Sequence, residues 1–321
     1  MWLALRTESL DGLAAAHGDI LLLGDAHPFV RRRRLKSGKV ALISGGGSGH
    51  EPLHAGFVGY GMLDAACPGQ IFTAPTPDQM LAAMALDSGA GVLFIVKNYA
   101  GDVMNFDMAR EMTSHAMQVV TNDDVALEDS LFSAGRRGTA GTLVVEKIVG
   151  AAAEEGMALC NLKSLGERVN DATRSMGVAL SSCTVPAVGG PTFDIGDNEI
   201  EFGVGIHGEP GRRGERLKSA DAIAEEICEA IAGDIGASIR APALLFVNGF
   251  GATPLMELYV MYNSARRIFT AQGFSIERSL VGSYVTSLDM AGCSITLSML
   301  DESRAKYWDA PVHTAALRWG M

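Results

Sequence analysis

Short apolar runs recur along the chain with longer amphipathic stretches between them. Val40–Ile43, Val92–Val96, Gln118–Thr121, Val178–Thr184, Glu201–Ile206, Ala243–Val247, Ile276–Val281 and Ser294–Met299 have the length and β-branched content of strands. Helical patterning falls on 7–17, Thr76–Ser88, Asn105 to about Met117, 141–155, 161–176, Ser219–Gly233 and 255–272. Thr76-Pro77-Asp78-Gln79 is the clearest start, a threonine cap with proline at the first helical position and glutamine to close a capping box. Strand and helix alternate throughout, so the expected class is α/β, with two α/β domains of mainly parallel sheets flanked by helices. The breaker-rich Pro186–Pro191, PAVGGP, marks the expected joint between domains at 1–185 and 186–321.

The strand at Val40–Ile43 runs into Gly45, Gly46, Gly47, Ser48, Gly49 and His50. Consecutive glycines let a backbone turn through positive φ and bring its N–H groups against a ligand. His50 at the lip of such a turn can act as donor, base or nucleophile; a tight turn with a bystander histidine explains the stretch equally well. Other polar groups sit at strand ends, where open α/β sheets hold their ligands: Lys97 with Asp102, His207, and the turn beginning at Asn248. In isolation Asp102 reads as a turn aspartate after Gly101, and His207 as an exposed turn histidine. Asn122-Asp123-Asp124 is an acidic turn with weak cation-binding character. Gly135–Thr139 reads as a loop, either facing an anion or simply exposed, with the exposed reading favoured, and Arg31–Arg34 as a solvated arm.

A formal charge of −11 and a pI near 5.1 argue against nucleic acid or an anionic membrane as partner. Cysteines at 67, 160, 183, 228 and 293 are scattered and odd in number, which suits reduced thiols. The start MWLAL lacks the layout of a secretory signal, and no run is long enough to span a membrane. The expectation is a soluble, cytoplasmic protein. No G-x-S-x-G elbow is present, and His50 and His54 lack the HExxH order of a zinc hydrolase. The glycines 45, 47 and 49 have the wrong spacing for a dinucleotide fold, and His50-Glu51 stand where a P-loop needs lysine and a hydroxyl residue. No convincing nucleotide site is found.

Seven longer motifs change the picture. SGGGSGHEP at 44–52, ACPGQIFTAPTPDQ at 66–79, KNYAGDVMNF at 97–106, GRRGTAGT at 135–142, EFGVGIHGEPG at 201–211, GATPLMELY at 251–259 and DAPVHTAAL at 309–317 resemble the dihydroxyacetone kinase substrate-binding subunits. The resemblance runs in order from about residue 10 to the C-terminus and is closest to the stand-alone form, since no helical nucleotide-binding domain follows residue 321. It implies that His207 forms a hemiaminal with the ketone carbon of dihydroxyacetone. It implies a substrate loop at Gly47, Ser48, Gly49 and His50, a contact from Lys97, and a general base at Asp102 with assistance from His50. It further implies a homodimer that binds no cofactor or metal itself. Mg-ADP or Mg-ATP is then expected on a separate helical nucleotide-binding subunit, recharged by a phosphotransferase phosphocarrier or replaced by ATP used directly. MWLALR is an unfamiliar start for this family, and the segment between Gly211 and Ala243 is compact. Two other readings stay open: a ketose-binding regulatory paralogue without kinase activity, and a kinase for a four-carbon ketose such as erythrulose.

Overall fold

The computed structural model describes residues 2–24, 28–127, 133–236 and 242–321, so Met1 and residues 237–241 of the compact segment lie outside the described residues. The chain divides into two units, one of Met1–Thr121, Thr142–Arg168 and Arg304–Met321, the other of Asn122–Gly141 and Val169–Ser303. This corrects the single joint expected at 185/186. Pro186–Pro191 instead belongs to a small hairpin in which Thr184–Val185 pairs with Gly190–Pro191 inside the second unit. Glycine and proline mark a tight turn as readily as a linker, so composition alone misplaced the boundary.

In the first unit the sheet order is Leu21–Leu23, Val30–Arg32, Ala65–Ile71, Ala41–Ser48, Val92–Lys97, Ala116–Thr121. The pairings from Ala65–Ile71 to Ala116–Thr121 are parallel, and the two at the other edge are antiparallel. Phe29, Ile43, Met80, Phe94, Val96 and Phe106 form its core with helices Pro77–Met84 and Ala100–Glu111. The chain leaves Ala41–Ser48 toward Ala65–Ile71 on one side, and leaves Val92–Lys97 toward Ala116–Thr121 on the other. A crevice therefore opens beyond the carboxyl ends of these two central strands.

The second unit's sheet runs Arg213–Arg216, Glu199–Phe202, Thr173–Ala179, Gly292–Met299, Pro242–Gly249, Ser275–Gly282. Only the last pair is parallel, joined through helix Leu255–Ala271; every other pairing is antiparallel. Mainly parallel pairing thus describes the centre of the first sheet but not the second. Apolar patterning reports which face of a strand is buried and carries no information on direction. Ile223, Ile227, Leu245, Phe269 and Ile295 anchor this unit's core.

Several boundaries differ from the expectation. The helix expected over 161–176 ends at Asp171, and a strand starts at Thr173. There Thr173 and Ser175 exchange side-chain hydrogen bonds with Ser298 and Thr296 at 2.8 and 2.7 Å, pairing that a helix would forfeit. The helix expected from Asn105 starts at Ala100, and Asn105 instead donates to the Pro75 carbonyl at 2.9 Å. Arg32 of the arginine run is buried and paired with Glu154 and Asp64, while Arg33 and Arg34 remain exposed. Among the described residues no helix is long and apolar enough to cross a membrane.

Helix Gly141–Glu154 packs so closely in the first unit that a Cβ on Gly150 would lie 2.5 Å from the Gly61 oxygen and the Met62 Cα. Gly150→Ala is expected to cost about 1–3 kcal/mol, read as a lower denaturant midpoint. A wild-type midpoint would refute that close approach.

Candidate active site

Strand Ala41–Ser48 is buried along its whole length and carries the glycines within it, not in a turn after it. Gly45 pairs with both Cys67 and Val96, Gly46 with Pro68, and Ser48 with Ile71 beyond an irregularity in register. Only Gly49, at φ 106°, occupies the left-handed region. Gly46 is required for space: a Cβ there would fall on the Lys97 ammonium and 3.3 Å from Asp102 Oδ2. At Gly47 it would lie 2.7 Å from the Phe72 Cα and the Thr73 nitrogen.

Lys97 ends the neighbouring strand and is fully buried. Its Nζ donates to His54 Nε2 at 2.8 Å, lies 3.4 Å from the Gly45 carbonyl, and stands 3.7 Å from Asp102 Oδ2. Burial lowers the lysine's pKa, opposed by the charges of Asp102 and Glu146. Asp102 occupies the first turn of Ala100–Glu111, where the helix dipole favours a negative charge. Burial raises its pKa despite the Lys97 charge. A raised value brings a carboxylate closer to the range where a general base works at neutral pH. Asp102 Oδ2 is buried with no hydrogen bond inside the protein. It is an acceptor held ready in the crevice.

Behind Lys97 lies a polar group that the sequence pattern did not reveal. His54 Nδ1 sits 2.6 Å from Glu146 Oε1 and 2.9 Å from Ser44 Oγ, and all three residues are buried. Burial, with the charges of Lys97 and His50, holds the His54 pKa well below its ordinary value. Burial pushes Glu146 up to about 8, partly offset by Ser44 and Lys97. One signal was available: Glu146 and Lys147 interrupt an otherwise apolar helical face, TLVVEKIV.

Of the remaining residues in the expected substrate loop, His50 is buried and stacks on Phe72 with centroids 5.2 Å apart. Ser48 Oγ donates to the Gly69 carbonyl at 2.7 Å, which leaves that hydroxyl only its lone pairs for a ligand. The Gly49 N–H donates to Glu51 Oε2 at 2.9 Å. The structure therefore gathers Gly46, Lys97, Asp102 and His54 tightly, with Gly47–His50 continuing the glycine strand.

His207 belongs to the second unit. The expected strand Glu201–Ile206 is strand only as Glu199–Phe202, and a loop then carries the half-buried His207. The His207 N–H donates to Glu209 Oε2 at 2.8 Å, and Glu209 pairs with Arg137 at 3.4 Å. The same guanidinium donates to Asp124 Oδ2 at 2.8 Å and to the Gly203 carbonyl at 2.6 Å. Arg137 is thus buried between both ends of the histidine loop, which corrects the exposed-loop reading of Gly135–Thr139. Gly208, at φ 72°, leaves no room for a Cβ against Cys183 and Thr192. The acidic turn has no carboxylate to spare for a cation: Asp123 accepts from Thr139 and from the Gly141 N–H, and Asp124 accepts from Arg137 and the Ala126 N–H. Asn248 serves the fold, accepting from the N–H groups of Tyr284 and Val285 at 2.9 and 2.8 Å.

Residues 11–316 match the Dak1 domain. The chain is 46% identical over 342 residues to the dihydroxyacetone-binding subunit DhaK of the PEP-dependent dihydroxyacetone kinase of Escherichia coli, covering 98% of this chain and 96% of that one. It is 48% identical over 315 residues to the dihydroxyacetone-binding subunit DhaK of a PTS-dependent dihydroxyacetone kinase of Listeria innocua, covering 96% of each. Among solved structures, the dihydroxyacetone kinase operon co-activator DhaQ superposes with a TM-score of 0.90 at 33% identity, covering 96% of this chain and 97% of that one. With the family match spanning nearly the whole sequence and relatives near half identity from end to end, this chain belongs to the Dak1 family.

Proposed function

We propose that this chain is the dihydroxyacetone-binding subunit of a dihydroxyacetone kinase. The observation that carries the reading is the buried Lys97–Asp102 pair beside the glycine strand, with Asp102 Oδ2 left without a hydrogen bond in the protein. A small ketose offers little apolar surface for binding, so a covalent bond is an effective way to hold it. The neutral His207 imidazole adds through a ring nitrogen to the ketone carbon. The carbonyl π pair moves to oxygen, and the proton lost from the other ring nitrogen ends on that oxygen, giving a neutral hemiaminal. Glycerol has no carbonyl and is rejected.

Gly47, Ser48, Gly49 and His50 line the captured sugar, and Lys97 and His50 hydrogen-bond its oxygens. Asp102 takes the proton of a terminal hydroxyl as that oxygen bonds to phosphorus. A Mg–nucleotide held by a separate helical subunit would supply its terminal phosphoryl group, its bridging P–O bond breaking and the shortened nucleotide remaining on that subunit, while this chain contributes position and the base. A phosphotransferase phosphocarrier recharges that nucleotide, or ATP is used directly. The chain works as a cytoplasmic homodimer in glycerol metabolism, and its free thiols fit a reducing compartment.

A second reading, a ketose-sensing co-activator, is favoured by the superposition on DhaQ. Identities of 46% and 48% to kinase subunits over nearly the whole chain weigh toward the kinase. So does Asp102, since capture alone needs no base.

Dihydroxyacetone labelled with 13C at the ketone should lose its carbonyl resonance on mixing with the purified chain, and His207→Ala should abolish that change. An unchanged spectrum with the wild-type chain would remove covalent capture from the proposal. Phosphorylation should appear only when the helical subunit and its nucleotide are added; turnover by the isolated chain would overturn the split site. The same assay with erythrulose separates a four-carbon specificity, and inactivity toward every short ketose favours the sensor. Asp102→Asn should keep the adduct and lower kcat by about 10²–10⁴-fold. Near-normal phosphorylation by that variant would refute Asp102 as base.

A further inference from the structure

In a buried site an ammonium and a carboxylate ordinarily close to a charge-assisted hydrogen bond of about 2.7–2.9 Å. Lys97 Nζ and Asp102 Oδ2 stop at 3.7 Å. Something draws the ammonium the other way. His54 Nε2 takes a hydrogen bond from it at 2.8 Å, while the Gly45 carbonyl, at 3.4 Å, is more distant.

The donor pattern around His54 fixes which ring nitrogen is bare. The Ser44 hydroxyl lies 2.6 Å from the Ile95 carbonyl and also hydrogen-bonds Glu146. An ammonium can only donate, so His54 Nε2 must accept from Lys97, and the hydrogen of the neutral ring sits on Nδ1, 2.9 Å from Ser44 Oγ. Nδ1 carries the hydrogen and shares it with Ser44 and with Glu146 Oε1 at 2.6 Å. Nε2 then presents a lone pair to Lys97, which has donors only. The low pKa of the buried His54 ring keeps it in this neutral form. A histidine serving packing alone would be satisfied by Ser44 and Glu146. Its other nitrogen is aimed at the one cation of the site.

We propose that His54, tethered by Glu146, is a positioning residue for phosphoryl transfer: it draws the Lys97 ammonium off Asp102 and so keeps Asp102 Oδ2 open to the substrate hydroxyl. The role of Asp102 rests on the kinase reading; the Lys97–His54 contact does not. The charged and titratable groups facing one another here are Lys97 on its strand, Asp102 on helix Ala100–Glu111, Glu146 on helix Gly141–Glu154, and His50 and His54 in the segment after the glycine strand.

Two substitutions with the same amide group but different reach separate the alternatives. His54→Asn places its amide near the old Nδ1, where it still meets Ser44 and Glu146 but falls short of Lys97. His54→Gln places an amide oxygen near the old Nε2, where it can accept from Lys97. In the full chain, 13C-carboxyl NMR should show Asp102 titrating about one unit lower in His54→Asn than in wild type, because the ammonium closes onto it. His54→Gln should titrate like wild type. With the partner subunit added, His54→Asn should lower kcat about 10–100-fold and move the acid limb of the kcat–pH profile downward, with KM for dihydroxyacetone within a few-fold. His54→Gln should recover most of that loss. The proposal is overturned if Asp102 titrates identically in His54→Asn and wild type, or if the two variants behave alike. Should the wild-type pair phosphorylate no ketose, the kinase reading falls, while the Asp102 titrations still decide whether His54 holds Lys97 away.

Discussion

The constraint on which the first unit depends is the burial of one ammonium. Removing Lys97 from water is costly unless opposite charge and hydrogen-bond acceptors surround it. Asp102, His54 and the Gly45 carbonyl supply them from different elements. Two carboxylates face this one cation, and burial raises the pKa of both. Burial pushes Glu146 up to about 8, partly offset by a hydrogen bond from Ser44 and by the Lys97 charge. Glycine at 46 follows from the same constraint, because any side chain there would occupy the space of the ammonium. The glycine strand is thus explained by what lies against it more than by how it turns.

The second unit solves a related problem with a guanidinium. Arg137 is buried, and its rigid fork spans Asp124, Glu209 and the Gly203 carbonyl. Glu209 in turn accepts the His207 N–H. The loop bearing the candidate nucleophile is therefore tied at both ends to one buried cation. Apolar packing would hold such a loop in place less specifically, because dispersion contacts have no preferred direction. In both units a desolvated positive charge orients the loop or strand that carries the candidate chemistry.

What the chain revealed by itself divides along physical lines. His50, Lys97, Asp102 and His207 stand out as candidates because each follows a strand-like run, where α/β folds expose functional groups. The capping box at Thr76 was legible because its rule is local, and Thr76 N–H does donate to Gln79 Oε1 at 3.1 Å. Glu146 and Arg137 were not, because their roles depend on partners 92 and 72 residues distant, His54 and Glu209. A charged residue's burial is decided by such partners and leaves no periodic trace. His54 was weighed only as a zinc ligand, since its true neighbours come from three separate segments. Strand direction in the second unit was hidden for a similar reason: pairing is a property of two segments, and each run was read alone.

On the proposed function, these arrangements bear on why a chain that binds a ketose would carry a charged site at all. Binding alone is achieved more cheaply by neutral hydrogen-bonding groups, which avoid the desolvation of ions. A carboxylate with a raised pKa, buried and left one hydrogen bond short, destabilises the free protein to some extent. Such a group becomes useful when a proton must leave a hydroxyl at the moment that its oxygen attacks phosphorus. The cost is present before substrate arrives, and the benefit is felt chiefly in the transition state, which is the distribution expected of a catalytic group. On the proposed reading, capture and catalysis are then separate devices: the carbon–nitrogen bond at His207 supplies affinity, and the Lys97–Asp102 pair, held apart by His54, supplies rate.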